Sequence, residues 1–450
     1  MKRPSRKSLR DGKPITRRET LKRIGGTAVG LMGILRARQA PAAAGRVTIR
    51  YWTWQNSADT KNPRAQAQAQ FLGAFRKANP DIELIEEVVP WQQIFHQLLQ
   101  AAAANKAPDV SKQLDRFVRP LADAGAILPL DEFTSSWSPE RRNDYVYAWD
   151  DTAFDGRKFA FRHAVRPVNI MYYRKDLYEA AGFKTPPKTA KELTEMSKAV
   201  TKGNIIGYIE PFSKSDLLAK FILIAPPMYW TLGSDLTAPK TSKATFHLEA
   251  GQKIFQWYQD MVYVHKVCPV GQASMDSDTV NNMFMSGTLA ATMDHTSKWA
   301  EWSRKEALQG RVDTDWLPNF ANEPKPTPAN TAGGWTVVMP NGAKKEAAWK
   351  LIEFLQSNES ELIDAKMGGE LPTRKSTLKD PFFQAPEAKR MTGWLTYMSA
   401  NPHPATSLKI KKLEVLIDVL ADAAQQIIAN KSEVKSTLAV AAQKYDAQIS

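Results

Sequence analysis

The stretch Val47-Thr48-Ile49-Arg50-Tyr51 alternates apolar and polar side chains, which is the spacing of a β-strand. Apolar residues from Phe71 to Ala78 then recur at helical spacing. A second strand over 82–89, a second helix over 94–102 and a third strand at Asp109-Val110 continue the alternation. A βαβαβ order of this kind predicts an α/β fold with a parallel, doubly wound sheet.

A second α/β region follows a predicted hairpin. Asp155-Gly156 supplies the positive φ angles that a tight turn between two strands needs. Beyond it, residues 168–173 have the pattern of a strand, and Thr189 with Glu192 forms a capping box that opens a helix. The segment 334–339 is predicted to be a further strand, and 408–449 two final helices.

Most of the net charge lies at the start of the chain. The formal charge is +14 over 450 residues, but residues 1–45 hold twelve basic and two acidic side chains, which leaves only +4 for the remainder. Binding to a phosphate backbone requires a basic face, so this distribution argues against a nucleic-acid partner unless the leader stays attached.

The basic leader has the pattern of an export signal. An apolar run from Ile24 to Leu35 is followed by the small residues Ala40 to Ala44, so we predict a cleaved signal over 1–44. The segment Thr16 to Lys22 resembles a twin-arginine signal, with Thr20 where Phe is usual. The predicted partner in export is therefore the twin-arginine translocase. The alternative is a basic tail before a short buried helix.

The chain has one cysteine, Cys268, and none directly after the apolar run. An intrachain disulfide and a lipidated cysteine are therefore both excluded. The sequence predicts a soluble periplasmic protein without a lipid anchor.

Nine segments appear in an order typical of one protein family: 47–52, 75–82, 107–110, 127–133, 155–160, 171–182, 284–287, 333–335 and 371–375. On these segments the chain resembles the extracellular solute-binding proteins of ABC importers, in the group that includes the maltose-binding protein. It departs from that pattern at 161–163, where an apolar-Pro hinge is usual, and at 294–296, where a Gly-Pro-Trp type of turn is usual.

The resemblance implies a two-lobed periplasmic binding protein fold, with a ligand cleft between lobes joined by crossing strands. The chain is expected to cross near 159–162, 331–333 and 379–383. The implied segments are 45–160 and 332–380 for lobe 1, and 161–331 and 381–450 for lobe 2. The implied function is capture of a sugar or sugar-like solute and its delivery to an ABC transporter, by a monomer without cofactor or metal.

Aromatic and polar residues that follow predicted strands are candidate ligand contacts, because an open α/β sheet binds ligands beyond the carboxyl ends of its strands. Flat rings there can stack on sugar faces while polar groups bind hydroxyls. The predicted ligand-binding residues are Trp54, Asn56, Trp91, Gln92, Gln113, Asp115, Arg162, Arg166, Asp294, Trp299, Gly334, Trp335 and Arg374. Each ring alone could equally belong to the core.

Three arginines in this set raise the possibility of an acidic ligand. Arg162 and Arg166 lie beside the expected first crossing, and Arg374 lies in the segment 371–375. Their guanidinium groups suit a carboxylate or phosphate. The competing interpretation is that they pair with acids of the protein itself.

Catalytic motifs are weak in this sequence. The six histidines are scattered, with no zinc spacing, and there is no Gly-x-Ser-x-Gly elbow, phosphate-binding glycine loop or dinucleotide fingerprint. Asp276-Ser277-Asp278 begins like a calcium loop but is better explained as a helix cap. The alternative to a binding protein is an exported carbohydrate-active enzyme, which turnover of oligosaccharides would reveal.

Overall fold

The structure is a computed structural model that describes residues 46–213, 222–331, 334–402 and 410–449. The predicted export signal over 1–44 and part of the second expected crossing, residues 332–333, lie outside these ranges. Within them, no helix combines the length and the apolar character that spanning a bilayer requires.

The strands are β1 (Val47–Thr53), β2 (Ile82–Val88), β3 (Val110–Leu114), β4 (Ala153–Phe154), β5 (Arg157–Lys158), β6 (Ala160–Ala164), β7 (Ile170–Arg174), β8 (Ala291–Asp294), β9 (Val312–Trp316) and β10 (Trp335–Val338). The larger helices are α1 (Pro63–Ala78), α2 (Ile94–Ala103), α3 (Val118–Asp123), α4 (Asp131–Thr134), α5 (Pro139–Asn143), α6 (Lys175–Ala180), α7 (Ala190–Val200), α8 (Ile222–Thr231), α9 (Glu249–Tyr263), α10 (Ser277–Met285), α11 (Trp299–Trp302), α12 (Lys345–Leu355), α13 (Asn358–Ile363), α14 (Lys389–Ala400), α15 (Leu413–Ala429) and α16 (Val434–Asp446).

The first sheet has five strands in the order β2-β1-β3-β10-β6. β1 pairs in parallel with β2, where Val47 faces Ile82, and with β3, where Tyr51 faces Val110. The predicted parallel start is therefore confirmed. β10 runs antiparallel to both β3 and β6, so the complete sheet is mixed, which the parallel prediction had missed.

The second sheet has three antiparallel strands in the order β8-β7-β9. Ile170 of β7 faces Asp294 on one side and Trp316 on the other. A core cluster that includes Met171, Phe255, Leu420 and Leu438 packs this sheet with α9, α15 and α16. The two predicted C-terminal helices are thus present and belong to this cluster.

Local signals in the sequence have the expected effect. Asp155 and Gly156 adopt φ angles of 52° and 77° in the turn between β4 and β5. Thr189 and Glu192 form both hydrogen bonds of the capping box at α7. Asn62 caps α1 through its side chain, which accepts the backbone N–H groups of the first helical turn.

β6 extends the first sheet to Ala164, since it pairs with β10 from Ala160 onward. The predicted division after residue 160 therefore falls within a strand. The division of residues 45–450 into four segments stays a prediction. β6 is followed directly by a connection, residues 165–169, that leads to β7 of the second sheet.

Candidate functional site

A cavity of about 410 Å³ lies where residues from both sheets meet. Its first wall follows the ends of β1, β2 and β3 and the start of α1: Trp54, Gln55, Asn56, Asp59, Asn62, Arg64, Ala65, Trp91, Leu114 and Arg116. Its second wall comes from α8, α10 and the end of β8: Ile224, Ser277, Asp278, Asn281, Asp294, His295 and Lys298. Arg166 and Val168 line it from the connection between β6 and β7.

The parallel pairing of β1, β2 and β3 explains the first wall. Parallel strands place their carboxyl ends at one edge of a sheet, so the residues after Thr53, Val88 and Leu114 meet there. The volume lies within the range of about 300–1,000 Å³ that is typical of small-molecule sites. The cavity therefore has the place and size of a ligand site.

Five of the predicted residues line the cavity. They are Trp54, Asn56, Trp91, Arg166 and Asp294. Trp54 and Trp91 are half-buried, as rings are when one face stays open to a cavity. Gln92, next to Trp91, is exposed and does not line the cavity.

Trp335 is not a cavity residue, contrary to the sequence prediction. It is 1% exposed, its ring stacks on His163 at 4.0 Å between centroids, and Lys112 Nζ lies 3.4 Å from the ring centroid. The reason is that β10 is an interior strand, placed between β3 and β6. Trp335 is therefore a core residue of the first sheet.

Three further predicted residues contact other parts of the protein and do not line the cavity: Gln113, Asp115 and Gly334. Gln113 is fully buried and donates to Ser111 Oγ at 3.0 Å. Asp115 accepts the backbone N–H of Arg116 at 2.9 Å and that of Gly334 at 3.2 Å. Burial raises the pKa of Asp115 to about 7 although neighbouring arginines oppose the shift. A Cβ at Gly334 would collide with a carbonyl oxygen of β6, which explains glycine there.

Each of the three arginines considered for an acidic ligand has a carboxylate partner in the protein. Arg162 lies 3.0 Å from Asp151, and Arg166 donates Nε to Glu370 at 2.7 Å. Arg374 contacts a carboxylate of the segment before β4 at 2.7 Å and does not line the cavity, and neither does Arg162. Buried guanidinium groups require such partners. The structure thus matches the competing interpretation, in which these three arginines pair with acids of the protein itself.

Trp299 also lies outside the cavity lining. It begins α11, is half-buried, and the guanidinium carbon of Arg390 lies 3.7 Å from its ring centroid. A cation therefore already covers one face of this ring. Its predicted role in stacking on a ligand is not supported.

Sequence reasoning missed several polar residues of the cavity, above all Arg64 and Arg116. Arg116 is the second residue after β3, so the strand-end rule that selected Asp115 could have selected it too. Arg64 lies in the first turn of α1 and does not follow a strand, so the strand-end rule does not select it. Asn281 lies on α10, whose start is capped by Asp276 through a bond to Thr279 of 2.8 Å. The predicted helix cap is thus confirmed.

The second wall presents acceptors, the cation of Lys298 and a neutral imidazole. Burial lowers the pKa of His295 well below its ordinary value, and its Nδ1 lies 2.8 Å from Ser297 Oγ. His295 is therefore uncharged at neutral pH. No group of three or more His, Cys, Asp or Glu side chains able to hold a metal ion occurs within the described ranges.

The comparisons with known proteins agree with this geometry. Residues 57–361 match the family model described as bacterial extracellular solute-binding protein. A binding protein of Brucella abortus is 25% identical over 383 residues, which cover 83% of this chain and 87% of that protein.

Two solved structures share the fold. One is an ABC transporter solute-binding protein from Thermotoga lettingae bound with α-D-tagatose, with a TM-score of 0.77, 20% identity and coverage of 90% of this chain and 100% of that one. The other is maltose-bound MalE3 of T. maritima, with a TM-score of 0.73, 22% identity and coverage of 89% and 99%. The predicted two-lobed periplasmic binding protein fold is therefore confirmed.

The family match extends over more than half of the chain and includes every cavity residue from Asp59 to Lys298. The resemblance inferred from the nine segments is confirmed by it. This chain belongs to the family of bacterial extracellular solute-binding proteins.

Proposed function

We propose that this protein captures a saccharide in the cavity and delivers it to an ABC importer. The observation that carries the proposal is the cavity itself, which joins two half-buried tryptophans with amide and carboxylate side chains contributed by both sheets. It lies at the carboxyl ends of the parallel strands, where α/β folds bind ligands.

The lining suits a sugar in two respects. Trp54 and Trp91 offer flat apolar faces to the C–H side of a pyranose ring. Asn56 and Asn281 can donate to or accept from hydroxyl groups, and carboxylates such as Asp278 accept hydroxyl protons in charge-assisted bonds.

Proteins of the same fold support the sugar class. The two structures described above hold α-D-tagatose and maltose, and a third, the GacH receptor of Streptomyces glaucescens, was solved with acarbose. The third structure has a TM-score of 0.73 and 19% identity. We carry the sugar class over to this chain as part of the proposal.

Ligand binding between the walls provides a reason for closure. A solute that touches both walls stabilises the arrangement in which both are close, because the open arrangement lacks half of these contacts. The closed protein then presents a surface that the membrane subunits of the importer recognise. In this proposal the protein acts as a monomer in the periplasm, after export through the twin-arginine translocase and removal of residues 1–44.

The proposal contains no covalent step. The experiment that tests it is a thermal-shift screen of the purified protein against monosaccharides, oligosaccharides, polyols, amino acids and short peptides. At about one thousand times its Kd a ligand stabilises the folded state by about 4 kcal/mol. A saccharide should raise Tm and be recovered uncut after incubation. Stabilisation by amino acids or peptides alone would contradict the sugar class, and cleaved saccharide would favour the enzyme.

A further inference from the structure

Arg116 is a buried arginine whose guanidinium carbon lies 4.9 Å from the ring centroid of Phe117 but which has no carboxylate partner among the described residues. It is 3% exposed and lines the cavity from the end of β3. Its side chain makes no hydrogen bond and no ion pair with any residue that the structure describes, and its Nε is buried without an acceptor. The carboxylate of Asp115 binds the backbone N–H of Arg116 rather than the guanidinium group.

The other buried arginines differ from Arg116. Four arginines are buried within the described ranges, and the three apart from Arg116 each contact a carboxylate. Arg162 lies 3.0 Å from Asp151, Arg174 lies 2.6 Å from a neighbouring aspartate, and Arg166 pairs with Glu370. Burying a guanidinium group without an acceptor is energetically costly. Arg116 lacks the carboxylate acceptor that the other three buried arginines have. Burial accordingly lowers the pKa of Arg116 to about 10, against the opposing effect of Asp115.

Arg64 repeats the pattern at a second point of the first wall. It is half-buried in the first turn of α1 and makes no side-chain hydrogen bond or ion pair with a described residue. The first turn of α1 contains no acidic residue, and a cation at the positive end of a helix dipole is unfavourable. Burial and the nearby Arg166 both lower the pKa of Arg64, while Glu370, Glu301 and Asp364 oppose this shift. An anion in the cavity would relieve the repulsion between Arg64 and Arg166.

The acids of the cavity do not supply that anion. Asp59 accepts the backbone N–H groups of Lys61 at 2.9 Å and Asn62 at 3.3 Å, which fixes it in the turn before α1. Asp278 and Asp294 belong to the second wall. The first wall therefore contributes the two arginines Arg64 and Arg116, and the second wall contributes Lys298 together with acceptors for hydroxyl groups.

We infer that the solute is an anionic saccharide whose carboxylate or phosphate group binds Arg116, with Arg64 adding positive potential and the second wall binding the hydroxyls. This inference rests on the proposed function and specifies its ligand class. A guanidinium group forms two parallel hydrogen bonds with either anion. A carboxylate and a phosphate group would therefore bind Arg116 through the same kind of hydrogen bonds.

Matched sets of ligands test the inference on the full chain by isothermal titration calorimetry. Each set contains a neutral sugar, its acid and, for the hexoses, its 6-phosphate: glucose, glucuronate and glucose 6-phosphate; galactose, galacturonate and galactose 6-phosphate; maltose and maltobionate. We expect an acidic member to bind at least tenfold more tightly than its neutral partner. Tighter binding of the carboxylate or of the phosphate member identifies which group Arg116 receives.

Arg116→Gln separates the anion contact from the rest of the cavity. It should weaken binding of the preferred acid at least tenfold and change binding of the neutral partner less than threefold, while the exposed Arg304→Gln should change neither. Equal loss for acid and neutral sugar, or no loss, would overturn the role of Arg116. If Arg116→Gln fails to fold, the preference for acid over neutral sugar is measured on the wild type and on Arg64→Gln instead. Arg64→Gln should reduce that preference, and an unchanged preference would contradict the role of the first wall.

The proposed function and the inference fail in different ways. If neutral members bind as tightly as the acids in every set, the anionic ligand is excluded but the saccharide-binding function stands. If no neutral or acidic saccharide binds, the proposed function is contradicted and the inference with it.

Discussion

Trp54 and Trp335 provide a contrasting pair of substitutions. The sequence places both near strand edges that face a cleft, but the structure puts Trp54 in the cavity lining and Trp335 in the core. Their rings meet edge to face at 6.4 Å, so the two variants perturb neighbouring positions in opposite environments. Trp335→Ala should therefore cost stability, and Trp54→Ala should cost binding.

The magnitudes follow from the contacts. Replacing a buried tryptophan with alanine costs about 3–5 kcal/mol of unfolding free energy. The cost for Trp335→Ala should lie at the upper end of this range, because the substitution also removes the ring that stacks on His163 and covers the buried Lys112. Without the ring, the Nζ of Lys112 keeps only its hydrogen bond to the neutral side chain of Gln55, at 2.6 Å. Trp54→Ala should cost about 1–3 kcal/mol of saccharide binding, as a lost aromatic contact does.

Urea unfolding measures the first cost, and calorimetric titration with the best saccharide of the screen measures the second. Trp335→Ala should bind with little change in Kd under conditions where it is folded. Trp54→Ala should keep its unfolding midpoint close to that of the wild type. The opposite pattern, with Trp335→Ala stable but unable to bind, would refute the assignment of Trp335 to the core.

Three further predictions concern the buried charges and the leader. Arg166→Met should lower the unfolding free energy by about 3–5 kcal/mol because it leaves Glu370 buried and unpaired. The double variant Arg166→Met with Glu370→Met should recover at least half of that loss in urea unfolding. No recovery would mean that the two side chains are not energetically coupled. Burial raises the pKa of Asp115 from 3.8 and of Glu361 from 4.5 to about 7, so between pH 4 and 7 the folded chain retains protons that the unfolded chain has released. The unfolding free energy should therefore fall as the pH rises through this window, and Asp115→Asn with Glu361→Gln should flatten the profile; an unchanged slope would contradict the burial argument. Changing Arg17-Arg18 to lysines should retain the precursor in the cytoplasm in fractionation experiments, and undiminished delivery to the periplasm would exclude the twin-arginine route.

Local patterns in the sequence were sufficient to find part of the site. Alternation of apolar residues defines the first strands, and their carboxyl ends lead to Trp54, Asn56 and Trp91, which line the cavity. Turn and cap residues such as Asp155 and Thr189 act within a few positions of themselves. Features that depend on near neighbours in the chain are therefore predictable.

Distant pairings were not predictable in the same way. β10 pairs with β3 although Thr336 and Gln113 are far apart in the chain, and this insertion is what buries Trp335. Arg166 meets Glu370 across 204 positions, so no local pattern distinguishes a paired arginine from a free one. The same limitation concealed Arg116, whose significance lies in the absence of a hydrogen-bond or ion-pair partner for its side chain among the described residues.

The most direct test of the account is a crystal structure of the protein at a saturating concentration of its best saccharide. We expect electron density for one ligand in the cavity, with a sugar face against Trp54 or Trp91 and contacts to both the first and the second wall. Density for the saccharide elsewhere, such as the groove between α15 and α16, with the cavity occupied by solvent alone, would contradict the account.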